Sequence, residues 1–211
     1  MEASDESGRV ERLTEATNRL GLTLPLVVAV DIDGVLADQV PHVLSRAKRE
    51  FGVSMEKTEI TAWDTRVADI PFDQLIARYL LDPSFVMTMP EMPRAKEALA
   101  VIRSRAKVIV GSSRPVETEK ETILWLREHF DFDESQFINT ALTGKAALPA
   151  DILIDDNLDN VGNFVRTKDS KFAILLSQPW NWDRSHIRSL IEDKKIIIKE
   201  NWSYIRNFFE R

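Results

Sequence analysis

The segment Leu26-Val-Val-Ala-Val-Asp31-Ile-Asp33-Gly34 is a continuous apolar run that ends in two aspartates and a glycine. An apolar, β-branched run bounded by turn residues is typical of a strand buried on both faces, and so of a parallel sheet covered by helices. Similar runs follow at 107–110, 151–154, 172–176 and 195–198. Helical patterns alternate with the strands, at 94–105, 116–129, 183–193 and 201–209. This alternation predicts an α/β fold with a doubly wound, Rossmann-like parallel sheet.

One long interval after the first strand lacks this rhythm. It has helical patterns at 43–51 and 72–81 but no pattern of a buried strand. Glycine and proline interrupt helices, and such residues argue against one long helical crossover here. They are Gly52, Pro71, Pro83 and Pro90. We therefore predict a small, mostly helical cap inserted after the first strand.

The predicted boundaries divide the chain into three parts. They are an N-terminal part at 1–25, a core domain at 26–40 and 91–211, and the cap at 41–90. Within the N-terminal part, we expect a disordered acidic tail at 1–8 and a helix at 10–22, where apolar residues recur at helical spacing.

The composition excludes several classes of protein. The 211 residues include no cysteine, which excludes a disulfide scaffold, a thiolate metal site and a cysteine nucleophile. The formal net charge of −6 disfavours long nucleic acids as partners, because surfaces that grip their backbone are usually basic. No apolar run approaches the roughly 18 residues of a membrane span. We therefore expect a cytoplasmic protein without a membrane partner, and the oligomeric state stays open.

Polar side chains follow three of the predicted strands, at the point where each strand ends. They are Asp31 and Asp33, then Ser112, Ser113 and Arg114, and then Asp155 and Asp156, with Lys145 ten residues before Asp155. Ligands of open α/β sheets bind outside the carboxyl ends of the strands, so these groups are expected to meet at one edge. Crowded carboxylates need a cation, and oxygen donors without cysteine or clustered histidine favour Mg²⁺. Together with hydroxyls and a lysine, this set indicates phosphoryl transfer.

Four of these segments, in this order, resemble the four motifs of the haloacid dehalogenase superfamily. They are 27–38, 108–112, Lys145 and 152–156. The resemblance implies a Rossmann-like core, Mg²⁺ as cofactor and hydrolysis of a phosphate monoester through an aspartyl-phosphate intermediate. It also implies a small phosphorylated metabolite as the substrate.

The resemblance assigns roles to individual residues. Asp31 would be the nucleophile, and Asp33 would protonate the leaving oxygen and then activate water. Ser112 would bind the transferring phosphoryl group, and Lys145 would hold Asp31 and the phosphate together. Lys120, on the helix after the second motif, is the competing lysine.

The implied metal ligands are all oxygen atoms. They belong to Asp31, to Asp156 and to the backbone carbonyl of Asp33, with Asp155 acting through water or from outside the coordination shell. The sequence alone does not distinguish Asp155 from Asp156.

Two residues after the second strand are candidates for binding the substrate. The sequence allows two interpretations of Arg114: its side chain contacts the phosphate, or it only solvates the loop. Ser113 is a substrate-binding candidate too, although it is also placed to cap the helix that Pro115 introduces.

A narrower resemblance is to the 5′(3′)-deoxyribonucleotidase family, the cytosolic type C 5′-nucleotidases. It rests on the position of Lys145, ten residues before Asp155, and on the segments 60–63, 125–130 and 177–181. It implies that Trp63 stacks on the base of a nucleoside monophosphate, with core packing as the alternative for a lone tryptophan. This chain has Gln39 and Ala62 where family members often carry phenylalanine.

The leading interpretation is a Mg²⁺-dependent phosphomonoesterase that acts on nucleoside monophosphates. A phosphatase of a sugar phosphate or another small metabolite is the alternative, and it would show no base preference. A phosphoacceptor signalling domain also uses carboxylates, a hydroxyl and a lysine on a parallel sheet. The order of the acidic motifs disfavours that domain, because its acidic pair would lie on the first strand and its phosphorylated aspartate on a later one. A degenerate binding protein is disfavoured because every expected catalytic position is filled.

Overall fold

The computed structural model describes residues 13–22 and 25–210. The tail that the sequence predicts to be disordered, 1–8, lies outside the described residues, and so do the first residues of the predicted helix at 10–22. The described part of that helix is α1. The helices are α1 (Leu13–Leu20), α2 (Gln39–Phe51), α3 (Phe72–Leu80), α4 (Pro83–Met87), α5 (Ala95–Arg103), α6 (Glu119–Phe130), α7 (Leu158–Arg166), α8 (Arg188–Glu192) and α9 (Trp202–Phe209).

Six parallel strands form one sheet in the order β5-β4-β1-β6-β7-β8, and β2 pairs with β3 in a small antiparallel hairpin. The strands are β1 (Leu26–Val30), β2 (Arg66–Val67), β3 (Ile70–Pro71), β4 (Ala106–Ser112), β5 (Phe137–Asn139), β6 (Ile152–Asp155), β7 (Phe172–Leu176) and β8 (Ile196–Lys199). The predicted doubly wound parallel sheet is confirmed. Strand β1 lies between β4 and β6, so the strand order reverses beside it and leaves the crevice in which such sheets bind ligands.

Hydrophobic layers cover both faces of the sheet. Val28 and Val30 of β1 belong to one buried cluster, together with Trp202 of the last helix, whereas Ala29 belongs to another, together with Phe164 of α7. Successive strand residues point to opposite faces, so the continuous apolar run serves both layers. Burial on both faces leaves the strand ends as the part of the sheet where polar chemistry is possible.

Two core elements are absent from the sequence-based prediction. Strand β5 has only three half-buried residues at the sheet edge, too few to form a recognisable apolar run. Helix α7 has apolar residues at helical spacing, and Asn157 caps it by accepting hydrogen bonds from the backbone N–H groups of Asp159 and Asn160. The helix predicted at 183–193 is shorter than expected, because a 3₁₀ turn precedes α8.

The interval after β1 contains both predicted helices, now seen as α2 and α3, together with α4 and the β2–β3 hairpin. Helix α2 ends at Phe51, where Gly52 takes a left-handed conformation with φ of 73°. It begins at Gln39, two residues before the predicted cap boundary, so the division of the chain into core and cap remains a prediction. Over the described ranges, none of the helices combines the length and the apolar character needed to cross a membrane.

Candidate active site

A tight turn follows β1 and carries the first two aspartates. The carbonyl oxygen of Ile32 accepts hydrogen bonds from the N–H groups of Val35, Leu36 and Ala37. Gly34 sits at φ of 77°, and a Cβ on it would lie 2.1 Å from Oδ2 of Asp156. Only glycine therefore fits where the turn passes over this carboxylate.

Three buried carboxylates meet below this turn. Oxygen atoms of Asp31, Asp155 and Asp156 all lie within 4.8 Å of one another. The Nζ of Lys145 lies 2.6 Å from Oδ1 of Asp31 and 2.8 Å from Oδ2 of Asp155, and its side chain is only 3% exposed. One ammonium therefore faces three carboxylates, and the cluster has an excess of negative charge.

This crowding shifts the pKa values of the cluster. Burial raises the pKa of Asp31 to about 7, with Lys145 opposing the shift and Asp155 adding to it. Burial also raises the pKa of Asp156 well above its usual range, and the charges of Asp155 and Asp31 reinforce the effect. Burial by itself would lower the pKa of Lys145, but the two neighbouring carboxylates outweigh it and raise that pKa. A buried set of oxygen donors with excess negative charge suits a hard divalent cation.

The two adjacent aspartates at the end of β6, Asp155 and Asp156, have different hydrogen-bond partners. Both oxygens of Asp155 accept hydrogen bonds, from Nζ of Lys145, the N–H of Asn157 and Nδ2 of Asn160. Asp156 accepts one hydrogen bond at Oδ2, from Nε1 of Trp180 at 2.9 Å. Their hydrogen bonds therefore distinguish these two aspartates, which the sequence alone does not.

Asp33 is held by an arginine from the second strand end. The guanidinium of Arg114 donates to both carboxylate oxygens, with Nη2 2.7 Å from Oδ1 and Nε 2.9 Å from Oδ2. Arg114 is 1% exposed, and it also contacts Oγ1 of Thr122 and Sδ of Met89. Its contact to Asp33 uses the two-pronged geometry that orients a carboxylate most strongly.

The two serines after β4 have different surroundings. Ser112 is buried, and its Oγ accepts a hydrogen bond from the N–H of Arg114 at 3.3 Å. Ser113 is exposed, and its Oγ lies 3.0 Å from Oγ1 of Thr140. Lys120, the competing lysine, is exposed, whereas Lys145 lies inside the carboxylate cluster.

A cavity of about 410 Å³ opens above the cluster. It is lined by Asp31, Asp33, Ser113, Arg114, Lys145 and Asp156, by Asn157 and Asn160 at the start of α7, and by five residues from the segment after β1: Gln39, Trp63, Asp73, Ile76 and Leu80. Ser112 does not line the cavity. The ring of Trp63 also packs against that of Trp180, with centroids 5.2 Å apart and planes at 44°. Trp63 therefore both lines the cavity and supports the side chain that donates to Asp156.

Sequence reasoning did not assign four residues that complete the site. They are Gln39, Asn157, Asn160 and Trp180. Asn157 directly follows the acidic pair and Asn160 lies three residues later, in the first turn of α7, and that position could have indicated them. Trp180 lies 24 residues beyond Asp156, and no local pattern connects them.

Comparisons with known proteins agree with this architecture. The family model of the 5′ nucleotidase, deoxy (Pyrimidine), cytosolic type C proteins matches residues 25–201. Among curated proteins, no relative matches the chain.

Solved structures show the same fold. A HAD hydrolase of family IA, variant 3, from Entamoeba histolytica is 14% identical, covers 88% of this chain and 100% of its own, and has a TM-score of 0.51. A haloacid dehalogenase-like hydrolase from Burkholderia xenovorans is 15% identical, covers 86% of this chain and 94% of its own, and also has a TM-score of 0.51.

Three observations lead to one conclusion: the parallel sheet, the polar residues that follow its strands, and the family match over residues 25–201. The protein is a phosphatase of the haloacid dehalogenase superfamily, nucleotidase-like, and it belongs to the cytosolic type C 5′-nucleotidase family.

Proposed function

We propose that this enzyme is a Mg²⁺-dependent phosphomonoesterase that releases phosphate from nucleoside monophosphates through an aspartyl-phosphate on Asp31. The observation that carries the proposal is the buried trio of carboxylates with Lys145, placed at the floor of a cavity with an indole in its wall. The family name describes cytosolic proteins, so a cytoplasmic location is part of the proposal.

The residues present fit a Mg²⁺ ion. The carboxylates of Asp31 and Asp156 and the backbone carbonyl of Asp33 would hold it. Asp155 is the weaker candidate for a direct ligand, because both of its oxygens already accept hydrogen bonds from Lys145, Asn157 and Asn160. A bound Mg²⁺ would neutralise charge on the phosphoryl oxygens.

We propose a two-step reaction, which the clustering of Asp31, Asp33 and Lys145 at the cavity supports. A carboxylate oxygen of Asp31 attacks phosphorus, the ester P–O bond breaks, and Asp33 gives its proton to the leaving oxygen. Water then attacks the phosphorus of the aspartyl-phosphate while Asp33 takes up a proton, which releases phosphate and restores Asp31. Lys145 orients Asp31 and offsets charge, and the hydroxyl of Ser112 donates to a phosphoryl oxygen.

Arg114 acts in this scheme by positioning the acid. Its guanidinium is already engaged with both oxygens of Asp33, and its burial leaves it little freedom to follow a substrate. We therefore assign Arg114 to orienting Asp33 toward the leaving oxygen, while its edge still lines the phosphate end of the cavity. Ser113, exposed at the same end, keeps its assignment as a phosphate-side contact.

The cavity wall indicates an uncharged leaving group. The lining residues that come from the segment after β1 are an indole, two aliphatic side chains, an amide and one carboxylate, that of Asp73. None of them is cationic, whereas the lining residues Lys145 and Arg114 are paired with carboxylates. A second phosphate on the leaving group would therefore lack a counter-charge, and monophosphates are favoured over bisphosphates.

The test is a screen of phosphate release over nucleoside monophosphates and sugar phosphates, with Mg²⁺ and with EDTA. We expect release that requires Mg²⁺ and is fastest for nucleoside monophosphates. Undiminished release after thorough chelation would contradict the metal assignment. Equal rates for sugar phosphates would support the second candidate, a phosphatase of small metabolites, which the polar side chains of Gln39 and Asp73 in the cavity wall favour.

Trp63→Ala tests the base-binding side. Stacking on an aromatic side chain contributes ~1–3 kcal/mol, so kcat/KM for nucleoside monophosphates should fall about 5- to 150-fold. Phenyl phosphate should be affected much less, and Trp63→Phe should keep part of the nucleotide activity. Equal losses for both substrates would instead assign Trp63 to supporting Trp180 and, through it, Asp156.

The raised pKa of Asp31 predicts how stability depends on pH. Its pKa rises from 3.8 to about 7 on folding, so the folded chain holds this proton more tightly than the unfolded chain. The stability that this provides is complete below pH 4 and is lost as pH rises through 7. Without divalent metal, the melting temperature should fall between these values.

Mg²⁺ should reverse that loss, because a cation binds the ionised carboxylates of the folded state. Thermal unfolding at pH 5 and pH 8, with Mg²⁺ or EDTA, measures the effect. We expect a larger Mg²⁺-induced rise in melting temperature at pH 8. A rise of the same size at both pH values would show that the cation does not bind at this cluster.

A further inference from the structure

The loop that follows β7 contains three buried polar side chains to which the proposed reaction gives no role. They belong to Gln178, Trp180 and Asn181. The loop passes through a 3₁₀ turn, Pro179–Asn181, in which the side chain of Asn181 accepts a hydrogen bond from the N–H of Gln178. Buried polar groups in native proteins are nearly always paired, so the acceptors that these side chains use indicate what the loop holds in place.

All three side chains donate to segments that carry the proposed metal ligands. Nε2 of Gln178 donates to the carbonyl oxygen of Gly34 at 2.9 Å, in the turn after β1. Nε1 of Trp180 donates to Oδ2 of Asp156 at 2.9 Å, and Nδ2 of Asn181 donates to the backbone carbonyl of Asp156 at 2.8 Å. The loop therefore holds both the backbone and the carboxylate of Asp156, next to the turn after β1.

The indole of Trp180 is itself held by its neighbours. Its ring lies 5.2 Å from that of Trp63, centroid to centroid, and Nζ of Lys57 lies 5.7 Å from its centroid. Lys57 is paired with Asp38, at 2.9 Å. A Cβ on Gly34 would lie 3.3 Å from Cζ2 of the same indole, so the turn after β1 also packs against it. A ring fixed by such packing keeps its N–H directed at one acceptor.

Trp180 differs in charge from Lys145, the other long side chain that donates to the carboxylate cluster. Lys145 pairs with Asp31 and Asp155, and its positive charge offsets theirs. The indole is neutral, so its hydrogen bond fixes the rotation of the Asp156 carboxylate and leaves the negative charge to attract a cation. Hydrogen-bond partners of this kind orient the ligands of metal sites.

We infer that Trp180 is a positioning residue, whose N–H orients the carboxylate of Asp156 to bind the divalent cation. The inference rests on the proposed function, because it takes Asp156 as a direct metal ligand. Trp180 does not line the cavity, so it acts on the affinity for the cation and not through contact with the ester.

Trp180→Phe removes the N–H and keeps an aromatic ring. Calorimetric titration with Mg²⁺ alone at pH 8, without any ester, measures the effect. We expect the Kd for Mg²⁺ to rise about 10- to 100-fold, the usual range for removing the hydrogen-bond partner of a metal ligand. Wild-type affinity in this variant would overturn the inference.

Trp125→Phe is the matched control for losing a buried indole. Trp125 is buried, and its Nε1 donates to the carbonyl oxygen of Met89 and not to a carboxylate. We expect this variant to melt below the wild type in EDTA, because it loses apolar contacts and a buried hydrogen bond. Its Kd for Mg²⁺ should equal that of the wild type. A loss of Mg²⁺ affinity as large as that of Trp180→Phe would overturn the inference.

Trp180→His separates the hydrogen bond from the packing. Nε2 of an imidazole occupies the same ring position as Nε1 of an indole, and the imidazole is neutral at pH 8, so this variant keeps the donor. It also buries less apolar surface than Trp180→Phe does, and should therefore melt at a lower temperature in EDTA. We nevertheless expect it to bind Mg²⁺ more tightly than Trp180→Phe. If Mg²⁺ affinity instead follows the melting temperatures, packing explains the effect and the inference is overturned.

Failure of the inference is distinguishable from failure of the proposed function. If the wild type shows no preference for nucleoside monophosphates, the nucleotidase proposal fails, whereas the Mg²⁺ titrations contain no ester and keep their meaning. If the wild type does not bind Mg²⁺, the metal assignment fails and the inference fails with it. If Asp156→Ala abolishes Mg²⁺ binding but Trp180→Phe binds as the wild type does, only the inference about Trp180 fails.

Discussion

Asp31→Asn is expected to abolish turnover and leave the fold intact, with kcat falling by more than about 10³-fold, the scale of losing a covalent nucleophile. An amide cannot form the aspartyl-phosphate, so the first chemical step is lost. The substitution keeps the shape of the side chain and removes one of the three crowded negative charges. The fold should therefore tolerate it.

Single-turnover and steady-state phosphate release measure this effect, and circular dichroism reports the fold. Asp64→Asn is the matched control, since Asp64 is exposed and does not line the cavity. Acid quenching of the wild type during turnover should trap phosphate on the chain, and the variant should trap none. Wild-type kcat in Asp31→Asn would exclude Asp31 as the nucleophile.

Asp33→Asn is expected to bind substrate and metal but to turn over roughly 10²- to 10⁴-fold more slowly, the contribution of general acid–base catalysis. The amide cannot give or take the proton, and it accepts from the Arg114 guanidinium through one oxygen instead of two. The backbone carbonyl, proposed as a metal ligand, is unchanged.

Two measurements distinguish proton transfer by the side chain of Asp33 from metal binding by its backbone carbonyl. The Mg²⁺-induced rise in melting temperature should survive in Asp33→Asn and disappear in Asp156→Ala. The turnover of esters with good leaving groups, such as p-nitrophenyl phosphate, should fall less in Asp33→Asn, because such leaving groups depart with less help from protonation. A loss of the metal response equal to that of Asp156→Ala would contradict the acid–base assignment.

The parallel sheet and the meeting of the motifs follow from local patterns in the chain. The run from Leu26 to Val30 must be buried on both faces because it has no polar position, and that requires helices on each side. Once the strands are parallel, their carboxyl ends share an edge, and Asp31, Lys145 and Asp155 come together as a consequence of topology. For this reason the acidic cluster was predictable without coordinates.

The partners of individual long side chains were not predictable in this way. From sequence alone, Arg114 could equally reach the phosphate or solvate its loop, and its carboxylate partner lies 81 residues earlier in the chain. A guanidinium on a flexible stem takes whichever acceptor the packing brings near, and no local pattern encodes that choice. The same holds for Trp180, whose donation to Asp156 distinguishes the two adjacent aspartates.

Gln39 shows most clearly what cannot be predicted from the sequence. In the sequence, it stands out only as a polar residue where related nucleotidases often carry phenylalanine. Its side chain is buried, its Nε2 has no partner among the described residues, and it shares the cavity lining with Trp63, Ile76 and Leu80, which lie far from it in the chain. Periodicity and motif spacing specify backbone elements and shared edges, whereas the hydrogen-bonding state of one side chain depends on the complete packing around it.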